Sequence, residues 1–112
     1  MATSTIKNSY ASNAGKLNNI LTVKVIELGA SATKNITLSS GTRCLLISDS
    51  TPNAHKGMWI IGQGSTTGIV PVLSAANVGI DTSVANTLTV TNGSTTTAVY
   101  LNFLIFNGSV SV

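Results

Sequence analysis

The sequence predicts an all-β protein: an antiparallel β-sandwich, jelly-roll-like, with about eight short strands. Three observations favour this fold class. Short apolar runs of strand length recur along the chain. They are separated by turns rich in Gly, Ser, Thr and Asn. No stretch shows the sustained apolar periodicity of a helix. A chain of 112 residues has the length of one domain.

The composition is unusually neutral for a small domain. Only 8% of the residues are charged and 43% are apolar, and the mean hydropathy is +0.38, whereas an ordinary soluble domain carries roughly a quarter charged residues. A chain this short builds one small core, which absorbs a limited number of apolar side chains. We therefore expect part of the surface to be covered by self-association.

The chain divides into two segments by composition. Residues 1–19 are rich in Ser, Thr, Asn, Ala and Gly without a strand or helix period, which predicts an arm or linker. Residues 20–112 form the predicted sandwich domain. Its first strand begins with the alternating run 21–25. Ile26 and Leu28 fall out of phase with that run, which predicts a bulge or a change of buried face.

The middle of the domain holds the most apolar strands. After a short strand at 36–38, residues 44–47 and 58–61 are apolar at consecutive positions, so both faces of these strands need cover. Between them, residues 48–57 form the longest polar interruption and predict a protruding loop. In the next strand Pro71 cannot donate to a β-ladder, which predicts an edge strand or a bulge.

The last strands differ in their faces. Residues 78–80 make a short strand, and residues 87–91 alternate apolar side chains with threonine. Residues 98–106 form the longest predicted strand, and both of its faces carry mostly apolar side chains. A sandwich buries only the inner face of each sheet. Strands that are apolar on both faces therefore predict a homo-oligomer whose copies cover the outer faces.

Several classes of partner and cofactor are disfavoured. Six Lys and Arg residues oppose three acids, but the basic residues are scattered rather than clustered, so we predict no nucleic-acid binding. Cys44 is the one cysteine, which excludes an intrachain disulfide and a thiolate metal cluster. We predict no metal and no cofactor. No apolar run reaches membrane-spanning length, and the first residues lack the apolar core of a signal peptide.

The chain has few side chains that could take part in catalysis. The titratable side chains useful for acid-base work are one histidine, His55, and three acids, Glu27, Asp49 and Asp81. His55 could pair with Asp49 and a serine, but the chain lacks the strained turn that holds a nucleophile, so we expect His55 on an exposed loop. No spacing suggests a pair of glycosidase carboxylates. The sequence therefore predicts that the protein is not an enzyme.

The polar loop and the tryptophan that follows it give the best candidate binding site. Carbohydrate sites stack the apolar face of a sugar on an aromatic ring and surround the hydroxyls with polar side chains. The predicted receptor or glycan site comprises Asp49, Asn53, His55 and Trp59. The alternative for Trp59 is a core position between the sheets, and the same alternative applies to Tyr100.

Four segments share apolar strands joined by small polar turns: 35–47 (NITLSSGTRCLLI), 57–61 (GMWII), 86–92 (NTLTVTN) and 99–106 (VYLNFLIF). In this pattern the chain resembles the C-terminal β-sandwich tip of bacteriophage tail fibres and receptor-binding proteins. The resemblance covers residues 20–112. It supplies a role but no binding residue to carry over.

The resemblance implies a homotrimer at the distal end of a fibre on the virion. Such a tip contacts other virion proteins and attaches the virion to a glycan or protein of the bacterial surface. The alternative function is a structural or decoration (head-fibre) protein of the virion with no receptor role. A small hydrolase is a third possibility, which the scarcity of titratable groups disfavours.

Overall fold

The computed structural model describes residues 21–112. The predicted arm at 1–19 and its boundary with the sandwich lie outside these described residues. Nine strands and one short 3-10 turn, Asn53–His55, make up the described part. The strands are β1 Thr22–Leu28, β2 Thr33–Leu38, β3 Arg43–Asp49, β4 Gly57–Gln63, β5 Thr67–Leu73, β6 Val78–Asp81, β7 Thr87–Asn92, β8 Val99–Asn107 and β9 Val110–Ser111.

The strands form two sheets with antiparallel pairing throughout. One sheet has five strands in the order β1-β8-β3-β4-β5, and the other has four in the order β6-β7-β2-β9. The pairing is nested, because β1 lies beside β8 in one sheet while β2 lies beside β7 in the other. The all-β sandwich predicted from the sequence is confirmed. The count is nine because β9, of two residues, adds a short edge to the four-stranded sheet.

The core lies between the inner faces of the two sheets. Alternate residues of β8 point into it, and Val99, Leu101 and Phe103 are fully buried. Leu28 and Leu46 lie on the same side of the five-stranded sheet and are also fully buried. The four-stranded sheet contributes buried aliphatic side chains from β2 and β7, namely Ile36, Leu38, Leu88 and Val90.

The first strand keeps one register along its whole length. Thr22 pairs with Ile105 and Leu28 pairs with Val99 without a shift, so no bulge lies near Ile26. The change of phase in the sequence instead marks apolar residues on both faces. Ile26 and Leu28 point into the core, whereas Val23 points outward.

Strand β5 lies at the edge of the five-stranded sheet, as Pro71 predicts. Its pairing with β4 shifts register between Met58 and Trp59, opposite Pro71. Because proline has no N–H to donate, an edge position next to an irregularity accommodates it without losing a central ladder bond.

Cys44 lies in the core, 3% exposed, on the inner face of β3. Burial raises the pKa of its thiol to about 11, because the thiolate would lose its hydration. The side chain therefore packs as a small hydrophobe. No helix within residues 21–112 is long and apolar enough to cross a membrane.

Candidate functional site

The β3–β4 loop is held against neighbouring segments. The Lys56 amide donates to the Asn53 carbonyl at 3.0 Å and closes the 3-10 turn. The Asn77 amide donates to the carbonyl of Ala54 at 2.9 Å, and the Ser50 hydroxyl donates to the carbonyl of Ala98 at 2.7 Å. One bond within the loop and two bonds to other segments fix its path.

His55 is buried, with 0% of its surface exposed. The expectation of an exposed loop histidine is therefore wrong. Its Nε2 lies 3.0 Å from Asn92 Oδ1, and the amide of Asn92 is oriented by its Nδ2, which donates to the carbonyls of Leu28, Gly29 and Thr97. Because Oδ1 can only accept, the imidazole donates from Nε2.

This arrangement does not assemble a catalytic triad. The ring donates from Nε2, and its Nδ1 has no hydrogen-bond partner among the described residues. The hydroxyl of Ser48 donates to the main-chain carbonyl of His55 at 2.7 Å rather than to its ring. Asp49 pairs with Lys56. His55 therefore ties the loop to β7 through Asn92.

Trp59 lies on the inner face of β4 and is 5% exposed. The core interpretation of this tryptophan is the one the structure supports. Its ring packs over Gly57, where an added Cβ would meet ring atom Cη2 at 2.6 Å and the Leu73 carbonyl at 2.8 Å. Glycine at this position therefore makes room for the indole, and the ring is closed to a ligand at the surface.

Asp49 and Asn53 are the two predicted site residues that reach the surface. Lys56 Nζ lies 2.5 Å from Asp49 Oδ1, and this hydrogen bond with the positive charge of Lys56 lowers the pKa of the Asp49 carboxyl. Asp49 is thus ionised at neutral pH and accepts hydrogen bonds. The structure does not bring all four predicted residues to one surface.

Tyr100 joins this surface, contrary to its core alternative. It is 45% exposed on the outer face of β8. The strand registers place it between two carboxylates, since Tyr100 pairs with Glu27 on one side and with Asp49 on the other. We call Glu27, Tyr100 and Asp49 the end row. The alternation of residues 98–106 placed Tyr100 on one of two faces of the strand. Only the order of strands in the sheet shows that this face is the outer one.

A concavity of about 510 Å³ lies next to the end row. Its apolar floor comes from outward residues of β3, β4 and β5, and Asp49 and Lys56 supply charge at one side. The other polar lining residues are Ser48 and Asn102, and Asn102 Nδ2 donates to the carbonyl of Ile47 at 3.0 Å. The lining residues are Ile47, Ser48, Asp49, Lys56, Gly57, Met58, Val72, Leu73 and Asn102.

The chemistry of this surface is that of a binding site. An exposed phenol ring, carboxylates that accept hydrogen bonds and an ammonium group suit a hydroxylated ligand. The third acid, Asp81, lies in the four-stranded sheet, where hydrogen bonds from Ser83 lower the pKa of its carboxyl. No group of three metal-ligating side chains occurs among residues 21–112.

Comparison with known proteins gives one informative likeness. No protein-family model and no curated protein matches the chain. A solved structure that does match is the tailspike protein gp49 from the Acinetobacter baumannii bacteriophage Fri1, described as a capsular polysaccharide depolymerase. The TM-score is 0.59 at 14% identity, over 81% of this chain and 19% of that chain.

This likeness concerns the fold. The chain spans about a fifth of the tailspike's length, 19%, and shares a sandwich with that part of it. The resemblance to phage tail proteins drawn from the sequence is thereby confirmed at the level of the fold. The position at the tip of a fibre stays a prediction.

Proposed function

We propose that this protein is a component of a bacteriophage tail that attaches the virion to a polysaccharide of the bacterial surface. One observation carries the proposal: over 81% of this chain the fold matches part of a phage tailspike described as a capsular polysaccharide depolymerase. Trimeric assembly and a position at the fibre tip are parts of the proposal, because several weak sites on one rigid tip bind far better than one.

The surface that fits a saccharide is the end row, on the side where Asp49 and Lys56 border the concavity. Tyr100 offers a ring for stacking, and Asp49 and Asn53 offer acceptors and donors for hydroxyl groups. His55 and Trp59 act from the interior, the first by anchoring the loop to Asn92 and the second by packing beneath it.

A binding assay on purified capsular and lipopolysaccharide glycans tests the proposal. The expected result is measurable binding that weakens about two- to twelve-fold in Tyr100→Ala, because ring stacking is worth about 0.5–1.5 kcal/mol. Tyr100→Phe, which retains the ring, keeps most of the affinity. Asp49→Asn also weakens binding, whereas its matched control Asp81→Asn on the other sheet leaves it unchanged.

The two alternatives make different predictions for the same protein. A structural or decoration role in the virion gives no binding to any surface glycan or to host cells. Cleavage of the polysaccharide is favoured by the description of the tailspike as a depolymerase, and it would release new reducing ends from the glycan. We expect no such release. A release that disappears in Asp49→Asn would replace attachment with hydrolysis.

A further inference from the structure

The outer face of the five-stranded sheet carries an unbroken apolar row across all five strands. The registers align one residue from each strand, and each is aliphatic. From one edge to the other the row is Val23, Leu104, Leu45, Ile60 and Val70. Ile60, at the middle of β4, is 50% exposed. Nothing among the described residues covers this row.

A second row runs beside the first and has the same character. It consists of Val25, Asn102, Ile47, Met58 and Leu73. Asn102 is the single polar member, and its Nδ2 is already bonded to the carbonyl of Ile47 at 3.0 Å. A donor satisfied within its own sheet costs little when the face is covered. Neither row contains a charged side chain.

We call these two rows the apolar face. Beyond them lie margins that carry polar residues, with Glu27 and Asp49 of the end row on one side and Arg43 and Asn107 on the other. Phe106, which is 47% exposed, lies next to Asn107 in the second margin. An apolar centre with a polar rim is the usual anatomy of a protein–protein interface. Five strands spaced about 4.8 Å apart and two outward rows about 6.8 Å apart give the apolar face a projected area on the order of 300 Å². The two flanking margins bring the whole outer face of the sheet to on the order of 600 Å², which approaches the roughly 800 Å² that each partner contributes to a standard interface.

The first twenty residues of this chain have too few large apolar side chains to cover the apolar face. Their large apolar side chains are Met1, Ile6, Tyr10, Leu17 and Ile20, separated by mostly polar stretches. Five such residues spaced three to seven apart are too few for two continuous rows. A second copy of this chain, by contrast, brings a surface of the same size, the same apolar character and no charge to bury.

We infer that the apolar face is the surface through which copies of this chain associate. The opposite outer face, on the four-stranded sheet, stays in water. Four members of the second row, Asn102, Ile47, Met58 and Leu73, also line the concavity, so a neighbouring copy covers the floor of the concavity. The end row lies at the rim of the covered area and remains accessible. This inference stands on the exposed rows alone and does not depend on the proposed attachment function.

Light scattering on the full chain, with and without single lysine substitutions, tests the inference. The wild type is expected at a multiple of the 11.4 kDa chain mass. Ile60→Lys is expected to raise the dissociation constant by at least roughly 100-fold, because an unpaired charge in a covered apolar face is costly. The matched control, Thr37→Lys on the four-stranded sheet, is expected to keep the wild-type mass.

A second variant keeps the test decisive if Ile60→Lys disturbs folding. Val70→Lys lies in the edge strand β5 and is 60% exposed before substitution, so it removes no core packing. Circular dichroism checks that each variant keeps its β-structure. A wild type of single-chain mass at every concentration would overturn the inference. So would two folded lysine variants that keep the wild-type mass while Thr37→Lys dissociates.

Discussion

The two sheets of the sandwich share one core but present different outer faces. The five-stranded sheet turns its apolar face outward, with aliphatic side chains in two continuous rows. The four-stranded sheet presents threonine and asparagine, with Thr33 opposite Thr91 and Asn35 opposite Thr89 in β2 and β7. Hydroxyl pairs bridge these strands, as in Thr33 Oγ1 to Thr91 Oγ1 at 3.0 Å.

The difference indicates two environments for one domain. Threonine keeps the β-branched shape that suits a strand while giving water a hydroxyl to bond. Valine and isoleucine have the same shape without that group, and they stabilise a strand outer face only when something covers it. Neither row of the apolar face contains a charged side chain, and Glu27, Arg43 and Asp49 of that sheet lie at its margins.

The largest expected effect separates the inward and outward sides of one strand. Phe103 is fully buried, and Phe103→Ala is expected to lower the free energy of unfolding by about 3–5 kcal/mol. Its neighbour Leu104 points outward, and Leu104→Ala is expected to cost about 1 kcal/mol or less. Urea unfolding in the Ile60→Lys background measures both within a single chain. Equal costs for the two would contradict the assignment of faces.

A buried and an exposed asparagine give the next comparison. Asn92 is 1% exposed and holds the β3–β4 loop, β1 and the segment before β8 together. Asn92→Ala is expected to destabilise the fold by about 2–4 kcal/mol, because buried carbonyls and His55 lose their partner. The control Asn35→Ala lies on the threonine-rich face and is expected to stay within about 0.5 kcal/mol. Thermal and urea unfolding distinguish the two.

The contrast between the faces can also be erased by design. The triple substitution of Thr37, Thr89 and Thr91 by valine keeps side-chain shape and removes three outward hydroxyls. We expect a change in the free energy of unfolding within about 1 kcal/mol but a new, larger assembly by light scattering, because both outer faces then need cover. An unchanged mass would mean that apolar character of an outer face does not drive association.

The smallest expected effect concerns the end row. Because Lys56 lowers the pKa of Asp49, the folded state gains stability at pH values above the ordinary carboxyl pKa. That gain is lost as the pH falls through the lowered value. Lys56→Met is expected to raise the pKa of Asp49 toward its ordinary value, measured by NMR titration. An Asp81 carboxyl that titrates as before is the internal control.

The sequence predicted the sandwich because alternation and turn residues are local signals. It also predicted the character of β8, since residues 98–106 alternate between two faces that are both largely apolar. Local alternation left open which side is the core. That choice depends on the sheet order, which places Phe103 inward and Tyr100 outward.

The candidate site was only partly predictable for the same reason. The loop and Asp49 were found from composition, but the end row brings Glu27 and Asp49 beside Tyr100 through pairing of β1, β8 and β3. The burial of His55 depends on Asn92, which lies 37 residues away. No local pattern marks either pairing.

Solvent exposure of methyl groups tests the central claim most directly. In methyl NMR of the wild-type protein with a soluble paramagnetic agent, the methyl signals of Thr37 and Thr91 are expected to broaden strongly. The methyl signals of Ile60 and Val70 are expected to stay sharp, because another copy covers them. Equal broadening of all four would mean that the apolar face is open to water, and it would contradict the account.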